Sequence, residues 1–590
     1  MKNNKQNIIY LIIFFAGFSF LIYEVAWNRY LSFILGTTVT ASTIILTSVM
    51  TGFGLGALIL GKVANSTQNP GKLLSGILAG IGIFNIINFL LISNLLTSFY
   101  SSFSNVLFAD IIFFSVVFLL LLIPAFFMGG VIPLINKIVI TENKNIEKKL
   151  GKVYAFETFG SMSGGIITGF ILLGNIGQIQ TIFTAGIINL LLAIYIFLSK
   201  SYSKPVKIGI SQQKNNNSQE NANKSKKIAK ISALLFGFSV LSLQIIWIRI
   251  FRIYFTNTSY TFTLITSLII LGISLGSWFY KKKGKSIKNN ETTMLKAIII
   301  FAFIVLTGFF ILHNLPEMLM FPFSDLMANT FVRIIILPAT ASFLIVFMPA
   351  VVSGFAFPLA CKMYSGGAEN ISQNIGKILT FNSIGSATGP VIATFLLIPF
   401  LGVGKAILLI IVAILLTATY ISLQIKDESK VNNYKKILIV LSAGIFISIF
   451  IAGQLQFVPP SVKKFNKKII AYNETTEGTL VVVDEPQKGV FGKSTFVNNS
   501  SVIGSNYDAV KAVKMVGHLP FFAGLQCKKV LIIGFGIGVT TSAIASHKEV
   551  QSIDCVELVP DLVKSAKNYK DFNSLAVHLS ACPHKTSKSI

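Results

Sequence analysis

Charged residues are scarce in this chain, and acidic residues are the scarcest. Only 12% of the 590 residues are charged while 53% are hydrophobic, whereas soluble domains carry about a quarter charged residues. The 22 acidic residues are outnumbered by 50 basic ones, which gives a net charge of +28. Because the lysines fall in short loops between apolar runs, this excess favours anchoring in a lipid bilayer over binding to nucleic acid.

Cysteine is rare as well. The four cysteines follow none of the spacings of zinc sites or disulfide frameworks, so neither a metal nor a disulfide is expected. The first apolar run contains Glu24 and Arg29 and lacks a small-residue cleavage site. It therefore predicts a retained first span rather than a cleaved signal peptide. We expect an integral protein of a prokaryotic plasma membrane.

Long apolar runs dominate the first 455 residues, and each can cross the roughly 30 Å of bilayer hydrocarbon as a helix. A polar stretch at 201–230, rich in lysine and asparagine, separates six runs within 1–200 from six runs within 231–425. A further run at 437–455 predicts an extra, thirteenth span. The predicted spans of the two sets are 8–34, 39–61, 73–97, 107–135, 153–173, 179–198, 231–255, 260–280, 293–313, 330–358, 377–400 and 404–424.

The two sets of spans are copies of one another. Residues recur at an offset of 220 near the start of each set and of 225 further along, which indicates a parallel duplication of a six-span unit. Six plus six spans around a long basic loop resemble the major facilitator superfamily. The lysine-rich loops place the N-terminus in the cytoplasm, and thirteen spans would place the C-terminal domain outside it. Recurring pairs include Gly17 and Gly237, Trp27 and Trp247, Gly56 and Gly276, Gly129 and Gly354, and Gly160 and Gly385.

Two carboxylates lie within predicted spans, where a charge is costly and therefore marks a functional candidate. They are Glu24 and Glu157. Their repeat counterparts are Gln244 and Asn382, so only the first half keeps a charge. One interpretation is a proton or cation site in a central cavity. The alternative is a structural hydrogen bond between helices or, for Glu24, pairing with Arg29 near the end of a span.

Beyond about residue 459 the composition becomes that of an extramembranous domain. Short apolar runs separated by turn residues predict a small β segment at 470–500. The rest, 505–590, predicts one βαβα unit with strands at 530–533 and 552–556 and helices at 540–545 and 561–569. The expected fold class is an α-helical polytopic membrane protein followed by a small β segment and a partial α/β Rossmann-like domain of S-adenosylmethionine type.

This βαβα unit holds the one pattern in the chain that indicates a specific chemistry. Its first strand leads directly into Gly534, Gly536 and Gly538, and Glu557 follows the next strand. A turn without side chains lets backbone N–H groups and a helix N-terminus approach a ligand closely. An acid at the end of the second strand can accept both hydroxyls of a ribose. The pattern predicts a site for an adenosine-containing cofactor.

The tail resembles the spermidine synthase (polyamine aminopropyltransferase) family, and the layout of the whole chain resembles its membrane-fused branch. The resemblance rests on Gly478, His-Leu-Pro at 518–520, the glycine motif at 530–541 and Val-Glu-Leu-x-Pro at 556–560. It implies that the three glycines and Glu557 bind S-adenosylmethionine or decarboxylated S-adenosylmethionine, and that a small amine is the substrate.

The same resemblance implies two weak catalytic candidates. Asp508 falls near the acidic pair that precedes the active-site helix of the family. His518 would line the mouth of the active site, or else simply cap the helix before Pro520.

Departures from the family concern catalysis. Soluble synthases carry Tyr-His-Glu where this chain has Ala-Val-Lys at 512–514, which puts the specificity for polyamines in question. The adenine-contacting motif and the catalytic aspartate of the family have no counterpart before Ile590, so the catalytic residue is unknown. The resemblance therefore implies a C-terminally truncated domain whose half-sheet has an unpaired edge. Frameshift, gene fragmentation or a second polypeptide that completes the fold would account for it.

Three functional hypotheses follow. The first is aminopropyl transfer from decarboxylated S-adenosylmethionine to an amine, impaired by truncation. The second is a transporter-like membrane protein with a vestigial or regulatory tail. The third is an S-adenosylmethionine-dependent methyltransferase-like activity.

Overall fold

Apolar helices make up the first 425 residues, because a helix satisfies its own backbone polar groups in lipid. Among the described residues, eleven helices are long and apolar enough to cross a membrane. The last of them bends at Gly402, where φ is 78°, and so forms two segments. The chain is an integral membrane protein. The structure, a computed structural model, describes residues 2–35, 38–99, 106–140, 145–199, 218–255, 259–365, 370–425, 436, 438–445, 455–485, 492–504, 507–570 and 573.

The helices agree with the twelve predicted spans. Those of the first half are α1 (Lys2–Leu35), α2 (Thr38–Ser66), α3 (Pro70–Phe99), α4 (Val106–Val139), α5 (Ile146–Ile167) and α6 (Gly177–Leu198). Those of the second half are α7 (Ser218–Tyr254), α8 (Ser259–Lys283), α9 (Asn290–His313), α10 (Val332–Ser365), α11 (Ile371–Ile392) and α12 (Ile398–Gln424). The predicted thirteenth span at 437–455 falls mostly outside the described residues, of which 438–445 are helical.

Backbone contacts repeat between the two halves, as the duplicated sequence predicts. Gly17 on α1 lies against the carbonyl of Glu157 on α5, and Gly237 on α7 lies in the same way against the carbonyl of Asn382 on α11. A methyl group at either glycine would collide with that carbonyl, so small residues are what lets these helices approach. Two further matched pairs are Gly160 on Phe14 with Gly385 on Leu234, and Gly129 on Phe53 with Gly354 on Ile273.

The two halves pack against each other mainly through two pairs of helices. Helix α5 of the first half packs against α8 of the second, and α2 of the first half packs against α11 of the second. Because these pairs are related by the repeat, the interface has the approximate two-fold symmetry of the duplication.

The tail begins with an antiparallel sheet. Its order is β1 (Lys468–Glu474), β2 (Thr479–Asp484), β3 (Lys493–Val497) and β4 (Ser500–Gly504). Strands β2 and β3 follow the predicted alternating runs, whereas the pattern of the sequence did not reveal β1 and β4. The sheet is therefore slightly longer than the predicted segment at 470–500.

The predicted βαβα unit follows. After helix α14 (Tyr507–Phe522) come β5 (Lys529–Ile533), α15 (Val539–Ala545), β6 (Ser552–Val556) and α16 (Pro560–Ser565), and β5 pairs with β6 in parallel. A short helix α13 (Pro460–Lys464) precedes the tail. Leu480 and Val482 of the sheet, Val510 of α14, and Ile537 and Leu562 of the unit share one apolar core. The sheet and the unit thus form one folded body.

Candidate functional site

The glycine turn between β5 and α15 has a backbone that only glycine adopts easily. Gly534, Gly536 and Gly538 have φ values of 90°, 58° and 83°, in the left-handed region that disfavours side chains. A methyl group on Gly534 would meet nothing within 4 Å, so the space in front of the turn is open. The turn therefore presents its backbone to a ligand, as the sequence predicts.

Glu557 lies at the end of β6, directly beside this turn. Its Oε2 accepts hydrogen bonds from the backbone N–H groups of Phe535, at 2.7 Å, and Gly536, at 3.2 Å. Its Oε1 accepts one from the N–H of Val559, at 2.9 Å. Hydrogen bonds to a carboxylate are stronger than neutral ones. The structure thus brings Glu557 and the glycines together.

Asn573 holds the turn in place through hydrogen bonds, and the sequence did not predict this role. Its buried amide donates to the carbonyls of Ile537, at 2.7 Å, and Ala566, at 3.0 Å. It thereby ties the turn to the helical segment after β6. No sequence pattern marks this residue, because its role depends on how the chain returns to the turn.

The structure places His518 away from the glycine turn. Its Nδ1 lies 2.9 Å from Nε2 of His547, whose ring stacks on Phe521 at 3.7 Å. His547 follows the C-terminal end of α15, whereas the glycines precede its N-terminus, about 10 Å away along the helix. Asp508 is exposed in the first turn of α14. Of the predicted site residues, only the glycines and Glu557 meet.

One part of the half-sheet is open to solvent. Leu531 and Ile533 of β5 are 62% and 82% exposed. In the described residues β5 pairs only with β6. Exposed apolar strand residues of this kind are usually covered in a complete domain.

Glu24 lines a small cavity inside the first half of the membrane region. The cavity measures about 20 Å³, and Tyr23, Trp27 and Asn85 line it together with Glu24. The indole N–H of Trp27 is buried and has no hydrogen-bond partner among the described residues. All its walls belong to helices α1 to α4, so Glu24 does not lie in a cavity between the halves, contrary to the central cavity considered above.

Glu157 lies on α5, where its backbone packs against Gly17 of α1. Its counterpart Asn382 donates a hydrogen bond to the carbonyl of Ala233, at 3.0 Å, and so joins α11 to α7. The second-half residue thus has the helix-to-helix role that was the alternative interpretation. The structure separates Glu157 from the cavity of Glu24.

A buried arginine joins the tail to the membrane region. Arg249, on the last turns of α7, is fully buried and donates to the carbonyls of Thr475, at 2.6 Å, and Thr476, at 3.2 Å. Lys463 donates to the carbonyl of His313 at the end of α9, at 2.6 Å. The tail therefore rests on the ends of α7 and α9.

Glu474 of β1 forms a second connection. Its carboxylate accepts a hydrogen bond from the N–H of Val403, at 2.8 Å, just after the bend at Gly402. The hydroxyl of Tyr472 donates to the same carboxylate. Burial raises the pKa of Glu474 above its usual range, while these hydrogen bonds and the charge of Arg249 oppose the rise.

A cavity of about 600 Å³ opens beside this junction. Lys405 near the bend, Glu474 and Thr476 of the sheet, and Asp561 and Lys564 of α16 are among the residues that line it. Because α16 follows the loop that contains Glu557, the cavity lies between the membrane region and the part of the tail that holds the candidate site.

Solved membrane transporters are similar to this chain at low identity. One is the crystal structure of the human organic anion transporter MFSD10 (TETRAN). The match covers 70% of this chain and 98% of the transporter chain, at 11% identity and a TM-score of 0.46. Another is the crystal structure of the major facilitator superfamily transporter FucP in the outward conformation. The match covers 71% of this chain and 100% of the FucP chain, at 12% identity and a TM-score of 0.43.

The fold and the site define a membrane protein whose extramembranous tail has a nucleotide-type βαβ unit. The family model of the spermine/spermidine synthase domain matches residues 511–581. The polyamine aminopropyltransferase of Yersinia pseudotuberculosis serotype O:1b (strain IP 31758) is 30% identical over 106 residues, which are 18% of this chain and 34% of that protein. The chain thus carries a spermine/spermidine synthase domain behind its membrane helices.

A second relative covers a similar part of the tail. The polyamine aminopropyltransferase of Methanocaldococcus jannaschii is 30% identical over 79 residues, which are 13% of this chain and 27% of that protein. This chain spans about a third of the length of the curated relatives it matches, or less.

Proposed function

We propose that the tail binds decarboxylated S-adenosylmethionine, or S-adenosylmethionine, as part of a membrane-fused spermidine synthase-like protein. The observation that carries the proposal is the carboxylate of Glu557 beside the turn of Gly534, Gly536 and Gly538. Glu557 would accept the two ribose hydroxyls, and the glycine backbone would let the nucleotide approach. The bound nucleotide supplies a sulfonium whose neighbouring methylene can be attacked.

Aminopropyl transfer is the reaction that the related domain implies. The amine nitrogen would form a bond to that methylene, the carbon–sulfur bond would break, and the amine proton would pass to a base. That base is unknown: Asp508 is exposed in the first turn of α14, and His518 is engaged with His547. Calorimetric titration of the purified full-length chain with each nucleotide tests binding, and transfer to putrescine tests the reaction. Absence of binding by both nucleotides would overturn the proposal.

We further propose that the tail lies outside the cytoplasm. It rests on the ends of α7 and α9, whereas the lysines 281–283 lie at the other end of the neighbouring helix α8. Because basic residues favour the cytoplasmic side, the tail belongs to the opposite face. A nucleotide made in the cytoplasm would then have to cross the membrane to reach the site, which would connect the helical region to the tail.

A thiol-labelling experiment tests this placement. Cys527 is partly exposed on the tail, while Cys361 is buried. We expect a membrane-impermeant maleimide to label the tail in intact cells, and a triple variant with Cys527→Ser, Cys555→Ser and Cys582→Ser to lose the label. As a matched control, Ser286→Cys in the triple variant, beyond the end of α8, should be labelled only after permeabilisation. The reverse pattern would place the tail in the cytoplasm.

A second candidate function is transport by the membrane region. The observation that favours it is the cavity beside Glu24, where the buried indole N–H of Trp27 has no partner among the described residues. A carboxylate inside a membrane is costly unless a cation or proton accompanies it. The related tail suggests a polyamine as the first substrate to try.

We expect Glu24→Gln to lower the uptake of radiolabelled putrescine into proteoliposomes by at least about tenfold, because an amide removes the charge but keeps the shape. Gln244→Ala is the matched control, because Gln244 occupies the same place in the second half and already bonds Thr266, at 3.0 Å. It should leave uptake within about twofold of the parent chain. Equal uptake by Glu24→Gln and the parent chain would remove this cavity from the transport hypothesis.

A further inference from the structure

Three lysines from the two halves of the membrane region come together where α5 packs against α8. Gly151 of α5 lies so close to α8 that a methyl group on it would be 2.9 Å from Cβ of Lys281. Lys152 is the next residue of α5, and Lys148 and Lys281 are the charged residues that act on its ammonium group. We refer to Lys148, Lys152 and Lys281 as the lysine cluster. Lys148 is exposed and the other two are half-buried, so a ligand can reach all three.

The lysine cluster has no acidic partner among the described residues. None of its three members forms an ion pair with a described acid. Glu147, the acid next to Lys148 in the chain, pairs instead with Lys362 of α10. Lys148 and Lys152 are four positions apart on one helix, and like charges at that spacing repel each other. An anion between the lysines would replace this repulsion by attraction.

The matched contact between α2 and α11 shows that the packing of the two halves does not need these charges. There Gly376 of α11 lies against α2, as Gly151 of α5 lies against α8. Small residues are enough to let such helices approach each other. Only one of the three lysine positions keeps a lysine at this second contact. The counterparts of Lys148, Lys152 and Lys281 are Gln373, Lys377 and Gly61.

An apolar stripe of α5 continues from the lysine cluster into the membrane. Residues seven positions apart lie on one face of a helix, so Lys152, Phe159 and Ile166 share a face of α5. Phe159 and Ile166 are 47% and 40% exposed. Exposed apolar side chains of a membrane-spanning helix contact the acyl chains of lipid. At 1.5 Å per residue the stripe is about 21 Å long, so it reaches far into the hydrocarbon layer.

Aromatic rings beside the lysine cluster indicate its depth in the bilayer. The ammonium nitrogen of Lys152 lies 3.7 Å from the centre of the ring of Tyr10, on α1. That of Lys282 lies 3.6 Å from the ring of Trp278, which is 36% exposed. Tyrosine and tryptophan are enriched at the level of the lipid headgroups. The cluster therefore lies where the phosphates of lipids are found.

We propose that the lysine cluster binds an anionic phospholipid from the bilayer leaflet at this end of the helices. Its phosphate lies among the three ammonium groups, and one of its acyl chains follows the apolar stripe of α5. Basic pockets between membrane helices bind anionic headgroups in this way. A free phosphate ion could use the lysines but not the stripe, which favours the lipid. Because the cluster includes residues of α5 and α8, the bound lipid joins the two halves.

Photolabelling of the full-length chain in phosphatidylcholine vesicles tests the site. The probe is a phosphatidylglycerol with a diazirine in the middle of one acyl chain, and a phosphatidylcholine with the same chain is the matched control probe. We expect the anionic probe to label the part of α5 around Phe159 and Ile166 at least about tenfold more strongly, because each nearby lysine favours an anionic headgroup by about fivefold. Equal labelling by the two probes would mean bulk lipid only, and would overturn the proposal.

Competition identifies the source of the phosphate. Unlabelled phosphatidylglycerol should suppress the labelling of α5, whereas soluble glycerol 1-phosphate should not, because it has no acyl chain to lie along the stripe. Suppression by glycerol 1-phosphate as strong as that by the lipid would assign the lysines to a soluble phosphate and would overturn the choice of a lipid.

Variants test whether the lysine cluster itself provides the preference. Lys152→Gln and Lys281→Gln should each lower the preference for the anionic probe by about fivefold, and Lys152→Arg should retain it because the charge is kept. Lys377→Gln, the matched change at the α2–α11 contact, should leave it unchanged. An undiminished preference in both glutamine variants of the cluster, or an equal loss in Lys377→Gln, would contradict the assignment. Labelling of the parent chain uses the unmodified protein and does not depend on how any variant folds.

Discussion

Replacement of Glu557 by alanine is expected to abolish measurable nucleotide binding to the tail. The carboxylate holds the N–H groups of Phe535, Gly536 and Val559, and in the bound state it would accept ribose hydroxyls instead of some of these. Hydrogen bonds to a charged group contribute about 1.5–3 kcal/mol each. Loss of two should raise the dissociation constant by at least about a hundredfold. Calorimetric titration of the detergent-purified chain with decarboxylated S-adenosylmethionine measures the change.

Two control variants make this result specific. Glu549→Ala removes an acid from the same domain that is exposed near His547, at the other end of α15, and it should leave the dissociation constant within about twofold. Glu557→Gln keeps one acceptor oxygen and should show an intermediate loss, since neutral hydrogen bonds are about half as strong. Binding by Glu557→Ala with unchanged affinity would disprove the role given to the acid.

Replacement of Arg249 by methionine is expected to release the tail from the membrane region. Methionine keeps an apolar stem but leaves the buried carbonyls of Thr475 and Thr476 without their donor. A buried carbonyl left without its donor costs about 1–3 kcal/mol, so two cost about 2–6 kcal/mol. The population of the undocked state should rise by at least about thirtyfold. Limited trypsin digestion measures this change as faster release of a tail fragment.

The internal repeat supplies the control for this experiment. Arg29 is the counterpart of Arg249 in the first half, and it is exposed. Arg29→Met should digest at the rate of the parent chain. A tail that remains equally resistant in Arg249→Met would show that the other contacts, such as that of Glu474 with Val403, hold the junction without the arginine. Size-exclusion chromatography of both variants separates undocking from global misfolding.

Much of the fold was predictable because it depends on local patterns. The length of apolar runs determines the spans. The offsets of 220 and 225 predict a duplication, and the contacts of Gly17 and Gly237 match one another. Strand β6 begins and ends where its apolar run does. Helix α14, in contrast, was not predicted, and it continues through Pro520 to Phe522 while it packs against α15.

Some features of the candidate site could likewise be predicted from local sequence, and others could not. The order of strand, glycines, helix and acid is enough to predict that Glu557 lies beside Gly536, because parallel strands of a βαβ unit end at one edge. Asn573 could not be predicted, since nothing near it in the sequence indicates that the chain returns beneath the turn. The family resemblance of His518 suggested the active-site mouth, and the structure pairs it with His547 instead.

The sequence by itself determined that this is a duplicated helical membrane protein with a nucleotide-type tail. Hydropathy and glycine spacing are properties of short stretches, and the repeat offsets come from comparing such stretches with one another. All three can therefore be recognised without knowledge of the fold. Only the tertiary structure decided that Arg249 lies buried beneath the tail and that Glu24 lines a cavity within one half. These facts depend on which helix faces which. A long-range contact that joins residues more than two hundred positions apart leaves no pattern in either local stretch.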